Sequence, residues 1–146
     1  MKILIISATL LIFHAFAFRQ QSIGIRGQLK CGEKPLSGAR IKVSNKNRIG
    51  TDDQLIDTKT NATGHFEAIG SIGSLFKIKP HLKIYHTCDY NINILGIPFQ
   101  KPCSRKVRWM IPLQFVARSG KVQEFFDIGS VNMQIIFPDE ERKCFV

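Results

Sequence analysis

The chain has 146 residues, a formal net charge of +10 and four cysteines, and that length suggests one domain. So basic a chain suits anionic lipid headgroups, sulfated polysaccharides or acidic proteins, or is simply kept soluble by its charge. Its long apolar run, Ile3 to Phe13, is shorter than the roughly 18 residues that a membrane span needs, which argues against a spanning protein.

That run follows Lys2 and precedes Ala15-Phe16-Ala17, the small-x-small pattern of a signal-peptidase site. The expectation is a leader of residues 1–17 and a mature domain of residues 18–146, exported and +9 in charge once Lys2 is lost. Export argues against nucleic acid as the partner. It also makes disulfides the expected state of Cys31, Cys88, Cys103 and Cys144; zinc would want Cys-x-x-Cys spacing, which is absent. Four cysteines allow three pairings.

Ser22 to Lys30 alternates Ile23, Ile25, Gly27 and Leu29 with Gly24, Arg26, Gln28 and Lys30, the period of a half-buried strand. A turn cluster, Cys31 to Gly38, leads to a second strand in which Ala39, Ile41 and Val43 alternate with Arg40, Lys42 and Ser44. Asn45 to Asp53 is a polar loop. Leu55 to Thr60 and His65 to Ile69 then flank Asn61-Ala62-Thr63-Gly64, which predicts a β-hairpin. In the fifth strand, His81 to Cys88, Leu82, Ile84, His86 and Cys88 share one face and His81, Lys83, Tyr85 and Thr87 the other. Asp89 to Pro102 is a long connection with a short helical turn near Asn91 to Leu95. Arg105 to Ile111 is a sixth strand closed by Pro112. Lys121 to Asp127 and Val131 to Phe137 make two more, with Gly129 in the turn between them. The fold class is therefore all-β: an antiparallel β-sandwich of seven to eight strands.

Several blocks in order resemble the nematode transthyretin-like family: Gly27-Gln28-Leu29-Lys30-Cys31 with Lys34-Pro35, Leu55 to Thr60 with Gly64-His65-Phe66, Leu82 to His86 with Cys88, Lys101-Pro102-Cys103 with Arg105-Lys106-Val107, and Phe126 to Asn132. The resemblance implies a transthyretin-type sandwich of two four-stranded sheets and an extracellular binding protein. One member of that family bridges exposed phosphatidylserine on dying cells and a receptor on the engulfing cell. The wider superfamily includes a 5-hydroxyisourate hydrolase that ends in Tyr-Arg-Gly-Ser. This chain ends Glu141 to Val146 without that signature, so no catalytic residues are assigned.

Cys88 ends strand five and Cys103 begins strand six, so antiparallel pairing of the two would set those sulfurs opposite each other, leaving Cys31 for Cys144 by exclusion. Asn61-Ala62-Thr63 is an N-glycosylation sequon in an expected exposed turn. His86 reads as a satisfied core or rim histidine. Asp52, Asp53 and Asp57 lack the ligand pattern that calcium requires, and no metal or other cofactor is expected. Arg40 and Lys42 on strand two, with Lys106 and Arg108 on strand six, would form a basic surface for an anionic lipid or polysaccharide if the two strands share a sheet. The function expected is thus an extracellular binding protein between such a ligand and a cell-surface receptor, the alternative being a carrier of a small apolar molecule in a sandwich or dimer pocket. Oligomeric state is left open.

Overall fold

The computed structural model describes residues 19–89, 91–94, 97–100 and 103–143, with 91–94 and 97–100 as backbone only. The expected leader, residues 1–17, and Cys144 lie outside the described residues. Two sheets pack face to face. One is built on β1 (Gln20–Cys31), which pairs β2 (Lys34–Pro35) and β5 (His65–Gly73) on one side and β10 (Phe125–Asn132) on the other. The other runs β11 (Glu141–Lys143), β9 (Ser104–Met110), β6 (Pro80–His86), β3 (Arg40–Asn45), β4 (Asp53–Lys59). A separate ribbon pairs β7 (Asn91–Ile94) with β8 (Ile97–Gln100).

The alternation read from the sequence is the alternation of burial. Ile23, Ile25 and Leu29 from β1 meet Ile41 and Val43 from β3, Leu82 and Ile84 from β6, and Val107 from β9, all essentially inaccessible to water. Removing that apolar area from water, at roughly 25 cal/mol per Å², is what holds the layers together. β1 and β3 fall where the pattern puts them, and so do β6 and β9, which pair antiparallel with Ile84 opposite Val107.

Five details differ from the sequence reading. The stretch around Asn61 is not a hairpin: β4 pairs β3 in one sheet and β5 pairs β1 in the other, so the chain arches across the core. Thr60 forces the bend. Its buried hydroxyl donates to the Leu36 carbonyl (2.6 Å) and accepts from the Ala39 amide (3.0 Å), and its backbone amide donates to the Ala39 carbonyl. β10 joins β1 in parallel, so the sandwich is not purely antiparallel. The two strands expected on either side of Gly129 begin and end differently: β10 runs through Gly129, where one extra residue makes a bulge between the Arg26–Asp127 and Gln28–Ser130 pairs. Gly129 supplies the positive φ there, +67°. Asn91–Ile94 is extended in the β7–β8 ribbon, not a helical turn.

The disulfide is the fifth. Cys88 does not pair with Cys103, and Cys31 does not pair with a carboxy-terminal cysteine: Cys31 is bonded to Cys88. The register itself is the expected one, since the β6–β9 ladder ends on His86 opposite Arg105 and its continuation sets Cys88 against Cys103. But Cys88 faces inward, like His86 and Ile84 before it, toward the end of β1 in the opposite sheet. The bond therefore ties the two sheets together across a sequence separation of 57, worth about 4 kcal/mol in the chain-entropy model. Cys103 is disulfide-bonded as well.

Gly64 closes the arch with φ +77°, its carbonyl accepting from the Leu29 amide at 2.8 Å. A Cβ there would overlap the Leu29 carbonyl oxygen. Gly64→Ala is expected to cost at least about 2 kcal/mol of unfolding free energy, through strain in the left-handed region plus that overlap; urea denaturation of the purified variant against the parent measures it.

A basic face on the five-stranded sheet

Because Ile41, Val43, Leu82, Ile84 and Val107 point inward, their neighbours on β3, β6 and β9 point out. β6 lies between β3 and β9, so Arg40 and Lys42 share one sheet with Lys106 and Arg108. Register arranges them in two transverse rows: Arg40, Tyr85, Lys106, and next to it Lys42, Lys83, Arg108. The second row places three cations directly opposite one another on strands about 4.8 Å apart, an arrangement that repels and needs compensation.

The compensation is partial. Arg40 grips Asp57 of β4 through two hydrogen bonds, 2.9 and 2.7 Å, and its guanidinium holds the Asp57 carboxyl below the usual range. Lys106 reaches Glu141 of β11 at 3.2 Å and lowers that carboxyl likewise. These carboxylates stand on the outer strands, leaving the middle cationic. There, Lys83 contacts Asp52 at 3.2 Å and Lys42 Nζ lies 5.5 Å from the centre of the Tyr85 ring, a cation–π contact. Arg108 is exposed and makes no ion pair among the described residues. His81, beside this row, has its pKa pushed down by burial and then by the charges of Arg108, Lys46 and Lys83, against a hydrogen bond with the Lys79 carbonyl. Lys83 is missing from the sequence-derived set, although the alternation of β6 already puts it on the outward side. The outer face of the other sheet is balanced by contrast: Arg26 sits between Glu67 and Asp127 in register and binds Asp127 at 2.9 Å.

Asn61 is exposed in the arch. Its side-chain oxygen accepts from the Thr63 amide, the Thr63 hydroxyl and the His65 amide at 2.8–3.0 Å, while its side-chain nitrogen donates no hydrogen bond among the described residues. Cys31, Cys88 and Asp89 offer three atoms close enough for a metal, but both sulfurs are spent in the disulfide and provide no thiolate.

One cation faces inward. Arg105 is buried on β9, and all five of its N–H donors are used: two on the Glu140 carboxylate, and three on the carbonyls of Cys88, Met133 and Ile135 at 2.8–2.9 Å. The guanidinium thus straps the segment 133–140 to the sandwich and keeps the Glu140 carboxyl below its usual range, against the effect of burial. His86 lies opposite Arg105 in register. Its Nδ1 accepts from the Cys88 amide at 3.2 Å, so the neutral ring carries its proton on Nε2, which is buried with no hydrogen-bond partner among the described residues. It is a core histidine, satisfied at one nitrogen only. Burial first, then the Arg105 charge, push its pKa down to about 4, with Glu140 opposing.

The sign of the consequence is fixed. The unfolded chain takes up the His86 proton below about pH 6.5 and the folded chain only near pH 4, so stability falls as pH drops through that window, by about 3 kcal/mol at 1.36 kcal/mol per unit. Glu140, depressed in the fold, adds to the loss once pH falls below its ordinary value of 4.5. Urea melts from pH 7 to pH 4 are expected to show this slope in the parent and a flatter one in His86→Gln.

Comparison with known proteins places this arrangement. Residues 26–112 match the family model described as the transthyretin-like family. Among its relatives, transthyretin-like protein 33 of Caenorhabditis elegans is 38% identical over 125 residues, 85% of this chain and 82% of that one. Transthyretin-like protein 5 of the same organism is 34% identical over 145 residues, 99% of both chains. The matched span runs from the middle of β1 past the end of β9 and so contains the whole three-strand basic face; this chain belongs to the transthyretin-like family.

Proposed function

We propose that the chain is exported, with its leader removed after Ala17, and acts outside the cell as a binding protein. Its basic sheet face takes an anionic cell-surface ligand, a phosphatidylserine-like headgroup, and the remaining surface is left for a receptor. The row Lys42, Lys83, Arg108 carries this reading: three aligned cations on one sheet face, with a single carboxylate reaching them from a loop, at Lys83, and neither Lys42 nor Arg108 in an ion pair among the described residues. A fold that buried its core by alternation alone would have no need of three like charges in register. The balanced opposite face makes the asymmetry a property of one side, not of the composition. Among the described residues no helix is long and apolar enough to cross a membrane. The carrier reading gains no support from the space between the sheets, which Ile23, Ile25, Leu82, Ile84 and their neighbours fill.

Export also bears on Asn61, whose exposed side-chain nitrogen is open to an N-linked glycan. The product recovered from the medium of a eukaryotic host is expected to begin at Phe18 and to shift on glycosidase treatment, and Asn61→Gln to remove the shift; amino-terminal sequencing and gel mobility check both. For the ligand, the test is sedimentation with phosphatidylcholine vesicles with and without phosphatidylserine, and retention on heparin as the polysaccharide arm. At about 1 kcal/mol per basic residue at an anionic surface, Lys42→Gln with Arg108→Gln is expected to weaken binding about thirtyfold at low salt, less as salt screens the face. Equal and negligible binding to both vesicles and to heparin would reject the reading.

A further inference from the structure

Five of the eight large apolar side chains most exposed in the described structure gather at one end of the sandwich: Ile49, Leu75, Phe76, Met110 and Leu113. Ile49 is in the loop after β3, which also carries Lys46 and Arg48. Leu75 and Phe76 are in the loop before β6, with Lys77 and Lys79. Met110 ends β9, and Leu113 follows it. The registers bring these segments to the same end: Asn45 opposes both Pro80 and Asp53, and His81 opposes Met110. Hydrogen bonds join them, Lys46 N–H to the Lys79 carbonyl (3.2 Å) and Ile111 N–H to the Pro80 carbonyl (2.9 Å).

The exposure is built in. Buried Gln21 clamps the second loop at two points, donating to the Phe76 carbonyl at 2.8 Å and accepting from the Ile78 amide at 3.1 Å. Ile78 is 1% exposed and plugs the core, while Phe76, two residues earlier, is 81% exposed and Leu75 66%. Ile49 stands out at 92%. A loop anchored this firmly could not turn Phe76 inward without giving up the Gln21 contacts. Beside it lies a cleft of about 270 Å³ with Lys77 and Arg118 on its walls and Leu113 and Val116 in its lining. Apolar tips interleaved with cations, next to a cleft of the same mixed character, are the chemistry of the boundary between lipid headgroups and acyl chains.

We propose that this edge docks into an anionic bilayer, with Phe76, Leu75 and Ile49 entering the headgroup–acyl boundary while Arg48, Lys77 and Arg118 meet the phosphates. The inference rests on the reading that the partner is an anionic cell surface, but on other residues than the sheet face. It assigns the bilayer itself, held by insertion as well as by charge. Charge decides against a second copy as the occupant: two such edges brought together would set Arg48, Lys77 and Arg118 against their own copies. The acidic residues of these loops are already engaged, Asp52 with Lys83 and Asp53 with Asn47.

The test uses the full exported chain and vesicles of phosphatidylcholine with and without phosphatidylserine. Phe76→Ser, at an exposed site, is expected to keep the parent's circular dichroism and to reduce partition into anionic vesicles at least about tenfold. Phe76→Trp is expected to shift its emission to the blue on binding and to be quenched by brominated acyl chains; the parent, whose Trp109 packs edge-on against Phe137, should do neither. If Phe76→Ser binds like the parent while Lys42→Gln with Arg108→Gln does not, the inserted edge is wrong and the face reading stands. If Phe76→Ser fails and the face variant binds like the parent, the edge stands and the face reading falls. Parent protein that ignores anionic vesicles overturns the edge whatever it does on heparin. So does a dimer that Phe76→Ser dissociates without any vesicle binding, since the occupant would then be a second copy.

Discussion

Alternation along β3, β6 and β9 is the constraint on which the rest depends. A strand has two faces and no more. Burying Ile41, Val43, Leu82, Ile84 and Val107 obliges Arg40, Lys42, Lys83, Lys106 and Arg108 to stand outside. The core and the basic face are therefore one pattern seen from two sides. Slipping any one of these strands by a residue would drive its cations into the core, at a cost far beyond the energy of a surface ion pair. The register that holds the sandwich shut is thus also what aligns Lys42, Lys83 and Arg108.

Arg105 is the exception that the alternation predicts and the chemistry has to accommodate. Its position between Lys106 and Ser104 turns it inward, so a guanidinium enters the layer that elsewhere takes isoleucine. It is tolerated because five acceptors meet five donors, and because the acceptors come from three separate places: Cys88 just past β6, the turn after β10 and Glu140. Removing Glu140 alone would leave a buried charge uncompensated, which is far more costly than never having had the pair. One consequence falls on His86. Buried in the inner layer, and sharing it with a permanent cation, it is held neutral well below the pH at which a free histidine charges. The acid sensitivity expected of this fold comes first from burying that histidine and second from placing it beside the arginine.

What the sequence discloses is face, and what it withholds is partner. Ile23 to Leu29, Ile41 to Val43 and Leu82 to His86 announce their inner and outer sides through period two alone, and the basic set on β3 and β9 is readable for that reason. Which strand lies beside which is decided by contacts far apart in sequence. Asn61 to Gly64 has the composition of a hairpin turn, yet the hydroxyl of Thr60 bends the chain across the core instead. Gly129 signals a positive φ, but a turn and a bulge make the same demand. Cys88 sits where an antiparallel reading puts it, opposite the place of Cys103; that it faces the other sheet follows from the same alternation, applied to one residue more. Lys83 belongs to the face by that rule too, and joins it only once β6 is seen to lie between β3 and β9.

The two surfaces proposed for anionic partners would act at different ranges. At physiological salt the field of Lys42, Lys83 and Arg108 is screened within about 8 Å, so the face orients the molecule only near contact and weakens as salt rises. Burial of Phe76 and Leu75 needs contact itself, but it does not weaken with added salt. Met110 and the Lys83–Asp52 pair lie where the loop edge meets the face, so the first could deliver the second. Neither uses the outer side of the four-stranded sheet, where Glu67, Arg26 and Asp127 balance one another. A sandwich held to a membrane by one sheet and one end still presents that balanced side to solvent, as a protein with a second partner on the far side would require.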